Sequence, residues 1–508
     1  MAAPLDRLTS WRADWAGLRV VVLGLGVTGF AAADTLAELG ARVTVAARTP
    51  DAERARILPV IGVDLVELTG DDDRDADAVL ALGAELAIVS PGFRPDQPLI
   101  RAIQAAGIPL WGDIELAWRV RDKVEPAAQW VLITGTNGKT TTTQLTATML
   151  REGGLRAAPC GNIGVPVLDA VRDPAGFDVL VVELSSFQLH WLPTTGPGAL
   201  APLASTCLNL AEDHYDWHGS AEAYRAAKAK VYENTRVACL YNRRDEATMH
   251  MVEEAEVMEG CRAIGFGSDT PGPSDVGVVD DLLVDRAFLA ERRTSALELA
   301  SLDDLRQAGL QTPHGLANAL AAAALARAAG VEPTAVRDGL RAFRVDAHRT
   351  ETIATAGDIV WVDDSKATNA HAAASALAAY RSVVWIVGGL AKGVDLAPLV
   401  AAHVERLRAA VVIGDDRSAL LEAFSRHAPG LTVLEVTARE TDGVMPEAVR
   451  LAAEVAVAGD TVLLAPAAAS MDQFIDYADR GRRFADAVRR HTEGGPDDEH
   501  PTPSPEPR

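Results

Sequence analysis

The sequence predicts an α/β protein built from three successive strand–helix units, and three observations carry that reading. Apolar, strand-like runs recur along the chain with helical stretches between them. Two of the runs end in glycine-rich turns, Gly24-Leu25-Gly26-Val27-Thr28-Gly29 and Gly135-Thr136-Asn137-Gly138-Lys139-Thr140. The length of 508 residues, 48% of them apolar, suits about three ordinary cores.

In chain order, Leu18 to Leu23 is a strand-like run that leads into the first glycine turn, a helical stretch to Leu39 and a second strand at Arg42 to Ala46. Runs at Leu86 to Val89 and Ile108 to Trp111 extend this βαβ opening into a Rossmann-like first domain, residues 1–115. Trp130 to Ile133 opens the second unit, with a Thr-led helix behind its glycine loop and a strand at Asp178 to Val182. It reads as a P-loop-type domain over residues 116–346. A helical pattern from Val331 to Phe343 precedes strands at Ile359 to Val362, Val383 to Val387, Ala410 to Ile413 and Thr461 to Leu464. This third alternation, residues 347–491, is again Rossmann-like. Residues 492–508, rich in Gly, Pro, Asp, Glu and Ser without apolar periodicity, are expected to be a disordered tail.

Composition excludes several functions. With 48 Lys and Arg against 71 Asp and Glu, the formal charge of −23 opposes any general affinity for nucleic acid. Cys160, Cys207, Cys239 and Cys261 are widely spaced with no CxxC pair, which fits reduced thiols in a cytoplasmic protein. The N-terminus lacks a signal-peptide pattern, and the Ala-rich stretch Leu316 to Gly330 is too short to span a bilayer.

The Gly135 loop lies between a strand and a helix, where backbone N–H groups can cradle phosphate oxygens. Lys139 is placed to neutralise those phosphates, and the hydroxyl of Thr140 to ligate Mg²⁺. Ile133 occupies the first-glycine position, so the loop is shorter than the strict GxxxxGK[ST] pattern. Glu183 ends a buried strand, where it serves either as a metal ligand or as a solvated strand-end carboxylate. Asn209-Leu210-Ala211-Glu212-Asp213-His214 gathers carboxylates around a histidine, either for Mg²⁺ and proton transfer or as helix-capping acids. Lys228 falls on a helix, where a lysine is ordinarily solvated or salt-bridged, and its ammonium cannot bind a cation.

Taken together, the Gly135 loop, Glu183-Leu184-Ser185-Ser186-Phe187-Gln188, Asn209 with Glu212-Asp213-His214, and Ala226-Ala227-Lys228 resemble the central domain of the Mur ligases. Asp363-Asp364-Ser365-Lys366-Ala367-Thr368-Asn369, Gly388-Gly389 with Lys392-Gly393, and the run Pro466 to Phe474 resemble the branch of that family that adds D-glutamate. The resemblance implies a monomeric cytoplasmic ligase of peptidoglycan precursor synthesis. Its substrates are ATP, D-glutamate and UDP-N-acetylmuramoyl-L-alanine, and the reaction passes through an acyl phosphate. It implies two Mg²⁺ ions, one on Thr140 and Glu183 and a second on Glu183, His214 and a carbamylated Lys228. Catalytic roles fall to Lys139, Glu183, His214, Lys228 and Lys366. ATP is assigned Gly135, Thr136, Asn137, Gly138, Lys139, Thr140, Thr141, Asn318, Arg349 and Asp364. The UDP-substrate is assigned Gly26, Thr28, Arg48, Thr49, Ser90, Asn162, Gln188 and His214, and D-glutamate Thr368, Lys392, Ser470 and Tyr477.

The chain departs from the family pattern in three places. Tyr477 stands where Phe is common, Gly315 follows His314 where Asn is usual, and no acid follows the second strand at Ala46-Ala47. The last departure shifts uracil or ribose recognition toward Thr28, Arg48 and Thr49, and it also weakens the rival reading of the first glycine turn as a dinucleotide site. That rival is an NADP-linked oxidoreductase, which leaves Lys139 without a task; a nucleotide-sugar sensor is a second, and it would lack the metal set. Within ligases, another amino-acid-adding Mur ligase or a folylpolyglutamate-synthase-like enzyme is the alternative.

Overall fold

Runs such as Val20-Val21-Val22-Leu23 and Val383-Val384-Trp385-Ile386-Val387 are apolar on both faces, which fits parallel strands covered by helices on each side. In the computed structural model, which describes residues 4–344, 348–390 and 394–493, they form the central strands of three sheets. The first sheet contains β1 (Arg19–Leu23), β2 (Arg42–Ala47), β3 (Asp64–Glu67), β4 (Leu86–Val89) and β5 (Leu110–Gly112). Their order is β3-β2-β1-β4-β5, parallel throughout.

The second sheet holds β6 (Gln129–Thr134), β7 (Ala157–Gly161), β8 (Val179–Glu183), β9 (Ala204–Cys207), β10 (Ala238–Asn242), β11 (Arg262–Phe266), β12 (Asp275–Val279), β13 (Leu282–Asp285) and β14 (Leu297–Ser301). Its order is β14-β13-β12-β11-β10-β9-β6-β8-β7, and only β12-β13 and β13-β14 pair antiparallel. The third comprises β15 (Glu351–Ala356), β16 (Ile359–Asp363), β17 (Val383–Gly388), β18 (Leu407–Ile413), β19 (Thr432–Glu435) and β20 (Thr461–Leu464), ordered β15-β16-β20-β17-β18-β19. The β15-β16 pair is antiparallel and the rest are parallel.

The chain divides into two compact units, Met1–Ala211 with Trp217–Arg344, and Glu212–Asp216 with Val345–Arg508. The first contains two of the sheets. Around the second sheet, the helices Pro313–Ala328 and Pro333–Ala342 pack on the helix Lys139–Glu152. Small residues permit this close approach: Ala319, Ala321–Ala324 and Ala326 are fully buried, and a Cβ on Gly339 would lie 2.6 Å from Met149 Cα. The helix that begins at Lys139 is thereby held along its length.

Every strand expected from the sequence forms. Strands β3, β7, β9–β15 and β19 have no counterpart in the sequence reading. The expected tail overlaps the structure only at Thr492, which ends the last helix, and Glu493; residues 494–508 lie outside the described residues.

Candidate functional site

In each sheet most of the candidate residues lie in loops after the carboxyl ends of strands, the edge on which open α/β sheets bind ligands, while Lys228, Asn318 and Tyr477 sit on helices. In the first sheet the glycine turn follows β1, Arg48-Thr49 follows β2 and Ser90 follows β4. A Cβ on Gly29 would stand 2.1 Å from Gly24 O, so only glycine lets the helix Val27–Glu38 start so close to β1. The same turn faces the buried Ser90 Oγ, which has no hydrogen-bond partner among the described residues. Gly26 is exposed and Thr28 partly so, leaving the turn open to a ligand. Arg48 is exposed but engaged: Nη2 is 2.8 Å from Asp72 Oδ1 and Nε 3.3 Å from Asp75 Oδ2. Thr49 is exposed.

In the second sheet the loop Gly135–Gly138 joins β6 to the helix Lys139–Glu152. Gly138 is the helix N-cap in the left-handed conformation (φ 82°), with no side chain capping the first turn, so its N–H groups remain available to an anion. Asn318 packs on this glycine so tightly that a Cβ would meet its Oδ1 at 2.2 Å. Asn209 clamps the loop from the other side, accepting from Asn137 N at 2.9 Å and donating to Asn137 O at 3.1 Å. Thr136 Oγ1 lies 3.0 Å from the hydroxyl of Tyr224. Thr140 and Thr141 lie in the first turn of the helix, after Lys139.

Two ammonium groups converge on this loop. Lys139 Nζ donates to Gly135 O and Thr136 O, each at 3.0 Å. Lys228, buried on the helix Ala221–Ala229, donates to Gly135 O at 2.8 Å and lies 3.4 Å from Thr134 Oγ1. At the end of β8, Glu183 is 2% exposed, and Asn162 Nδ2 donates to its Oε1 at 3.0 Å. Its Oε2 is buried with no hydrogen-bond partner among the described residues. A buried carboxylate oxygen without a donor is costly, and a hard divalent cation fits it, being the partner such an oxygen otherwise lacks.

Gln188 forms a capping box with Ser185, and its Nε2 donates to Asp113 Oδ2 at 3.0 Å. Burial drives the Asp113 carboxyl up to about 6, against the Gln188 hydrogen bond. His214, in the left-handed conformation (φ 56°), has Nε2 3.5 Å from Asp213 Oδ2. It belongs to the short segment Glu212–Asp216 that groups with the second compact unit.

In the third sheet β20 lies between β16 and β17, so the loops after these strands meet. Gly388 N donates to Pro466 O and Ala467 N to Ala367 O, both at 2.9 Å. Lys366 Nζ sits 3.6 Å from the centre of the Tyr477 ring. Ser470 is buried, and Thr368 N donates to Lys366 O at 2.8 Å. Burial pushes the Asp364 carboxyl up to about 7, against a hydrogen bond from Thr350 N and the charge of Arg349. Lys392 lies outside the described residues. Sequence reasoning missed Asp113 and Tyr224, for which the polarity of Asp113 after a strand was the one signal; it included Asn209 in the family pattern but not its clamp on Asn137.

Three family models match the chain in order: Mur ligase MurD-like, N-terminal domain, over residues 18–112; Mur ligase middle domain over residues 133–326; and Mur ligase, glutamate ligase domain, over residues 348–468. The chain is 64% identical over 500 residues to a UDP-N-acetylmuramoylalanine–D-glutamate ligase of Leifsonia xyli subsp. xyli, covering 97% of this chain and 96% of that one. It is 54% identical to the ligase of the same name from Streptomyces avermitilis, over 94% of this chain and 99% of that one. Among solved structures, UDP-N-acetylmuramate-alanine ligase of Thermotoga maritima shares the fold, with a TM-score of 0.54 at 19% identity over 93% of this chain and all of that one.

Proposed function

The chain belongs to the Mur ligase family, and from that premise we propose that it joins D-glutamate to UDP-N-acetylmuramoyl-L-alanine, with ATP converted to ADP and phosphate, in the cytoplasmic synthesis of peptidoglycan precursor. The observation that carries this reading is 64% identity, over 97% of the chain, to a relative named for that reaction. The domain roles follow. Residues 1–115 form a Rossmann-like domain for the UDP-substrate, 116–346 a P-loop-type domain for ATP, and 347–491 a Rossmann-like domain for the amino acid, with 492–508 as a tail. We take the working enzyme to be a monomer. Among the described residues no helix is long and apolar enough to cross a membrane.

The chemistry is stepwise. A carboxylate oxygen of the UDP-substrate attacks the γ-phosphorus of ATP and ADP leaves, giving an acyl phosphate. The amine of D-glutamate then attacks the acyl carbon, and phosphate departs with that carboxylate oxygen, leaving an amide. No side chain becomes a covalent nucleophile; the work of the protein is to position the reactants and supply charge.

Supporting this assignment, the uncapped turn at Gly138 offers backbone donors to the phosphates, and Lys139, now folded onto loop carbonyls, has those phosphates as its alternative partner. Asn318, Arg349 and Asp364 are assigned to the nucleotide. Thr140 and Glu183 would hold one Mg²⁺. Glu183 with a carbamylated Lys228 and His214 would hold a second, His214 on the family pattern alone. When bound, the ions supply positive charge beside the transferring phosphoryl group. Ser90, Gly26, Thr28, Arg48, Thr49, Asn162, Gln188 and His214 are assigned to the UDP-substrate, with Asp113 orienting the Gln188 amide. Lys366 is assigned to the phosphoryl group, and Thr368, Lys392, Ser470 and Tyr477 to the D-glutamate; the Tyr477 ring holds the Lys366 ammonium in place.

The mechanism is tested by labelling the free carboxylate of the UDP-substrate with ¹⁸O. Transfer of one label into the released phosphate is expected. Unlabelled phosphate would remove the acyl phosphate from the pathway.

A further inference from the structure

Arg349 is flanked by two non-glycine residues in the left-handed conformation, His348 (φ 66°) and Thr350 (φ 51°). Side chains adopt that conformation when surrounding contacts hold it, and it concentrates at functional turns. The contacts here are specific. His348 N donates to Glu351 Oε2 at 2.9 Å, and Thr350 N to Asp364 Oδ1 at 3.1 Å. Lys366 N donates to His348 O at 3.2 Å. The His348 ring joins this frame through Nδ1, 2.6 Å from Oδ2 of Asp363, a carboxylate with no solvent exposure. The other Asp363 oxygen accepts from Ser365 N at 2.9 Å. One buried carboxylate therefore grips the turn before Arg349 and the loop that carries Asp364 and Lys366.

The pair exists because residue 481 has no side chain. A Cβ on Gly481 would stand 2.3 Å from His348 Nδ1 and 2.8 Å from Asp363 Oδ2. The hydrogen bond to Asp363 holds the imidazole's pKa above its ordinary value, against the effect of burial. Ligand atoms of His348, Glu351 and Asp363 come within 4.8 Å of one another, a spacing a metal accepts, but His348 Nδ1 is already bonded to Asp363 Oδ2, and Glu351 Oε2 accepts from the His348 backbone N–H.

We propose that His348 and Asp363 are positioning residues, whose contact, admitted by Gly481, sets the turn that presents Arg349 to the nucleotide and ties it to the Asp364–Lys366 loop. The proposal rests on the assignment of Arg349 to ATP, so Arg349→Ala is the reference in its test. Steady-state kinetics of the full chain are compared for Arg349→Ala, His348→Ala, His348→Asn and Gly481→Ala. Arg349→Ala and His348→Ala are each expected to raise the KM for ATP about tenfold or more, with the KM for the UDP-substrate within about twofold. His348→Asn, whose amide N–H can replace Nδ1–H, returns the KM for ATP to within about threefold of the parent. Gly481→Ala, a position in none of the assigned ligand sets, is expected to share the ATP defect because its methyl displaces the imidazole.

An unchanged KM for ATP in His348→Ala beside an impaired Arg349→Ala overturns the positioning role and leaves Arg349 in place. An unimpaired Arg349→Ala overturns the assignment beneath it. Should His348→Ala fail to fold, the other pair decides: a near-normal His348→Asn with an ATP-defective Gly481→Ala supports the proposal, and equal KM values for ATP in the two overturn it.

Discussion

Gly138 is the residue on which nucleotide binding is most exposed to a single change. Its φ of 82° disfavours any side chain, and the space a Cβ needs is taken by Asn318. Gly138→Ala is expected to weaken ATP binding by about tenfold or more, measured by calorimetry, while affinity for the UDP-substrate holds. Lys228 is the second. Its ammonium donates to Gly135 O, so a neutral replacement removes a buried donor as well as any carbamate. Lys228→Ala should abolish ligation, and short carboxylic acids added to the assay should restore part of it by standing in for the carbamate. Undiminished activity in this variant would take Lys228 out of the mechanism. At this scale the sequence was informative wherever a residue type has one main task in a known context, as with Lys139 and Thr140 after a strand and a glycine. It was uninformative about Asp363 and Gly481, whose roles come from being 118 positions apart in the chain and within contact distance in space.

Among the elements, strands buried on both faces were legible, because β1, β6, β16, β17 and β20 need unbroken apolar runs. Most of the missed strands are not such runs. β3, β7, β14, β15 and β19 are sheet edges or short, half-exposed pieces such as Asp64–Glu67, and β12 and β13 belong to an antiparallel extension with mixed faces. Two elements give tests. Gly29→Ala pushes the helix Val27–Glu38 off β1, since the new methyl collides with Gly24 O. A loss of about 1–3 kcal/mol in denaturant unfolding is expected, with weaker binding of the UDP-substrate. Asp113 begins the helix Asp113–Arg119 with a carboxyl raised to about 6. Because the folded state binds that proton more tightly than the unfolded chain does, its contribution is fully present below about pH 4 and is lost as pH rises through 6. Asp113→Asn keeps an oxygen for Gln188 and carries no charge. It should be more stable than the parent at pH 8, by on the order of 2 kcal/mol, and lose that advantage by pH 4. Equal unfolding curves for the two proteins at both pH values would show that Asp113 is not desolvated.

For the whole molecule, each of the three parallel-dominated sheets, taken by itself, carries most of its candidate residues in the loops after the carboxyl ends of its strands, one topological rule applied three times. The α/β alternation and the ordered motifs made that much legible in the sequence. The grouping of the first two sheets into one compact unit was not, since it depends on packing between elements that no local pattern records. Nor does any residue here spell the configuration of the amino acid. The central claim is therefore tested most directly by following phosphate release from the purified chain with Mg²⁺-ATP and UDP-N-acetylmuramoyl-L-alanine, adding D-glutamate, L-glutamate and other amino acids one at a time. Release that depends on D-glutamate alone is the predicted result. Release driven equally by L-glutamate, by a different amino acid, or by none of them would contradict the account.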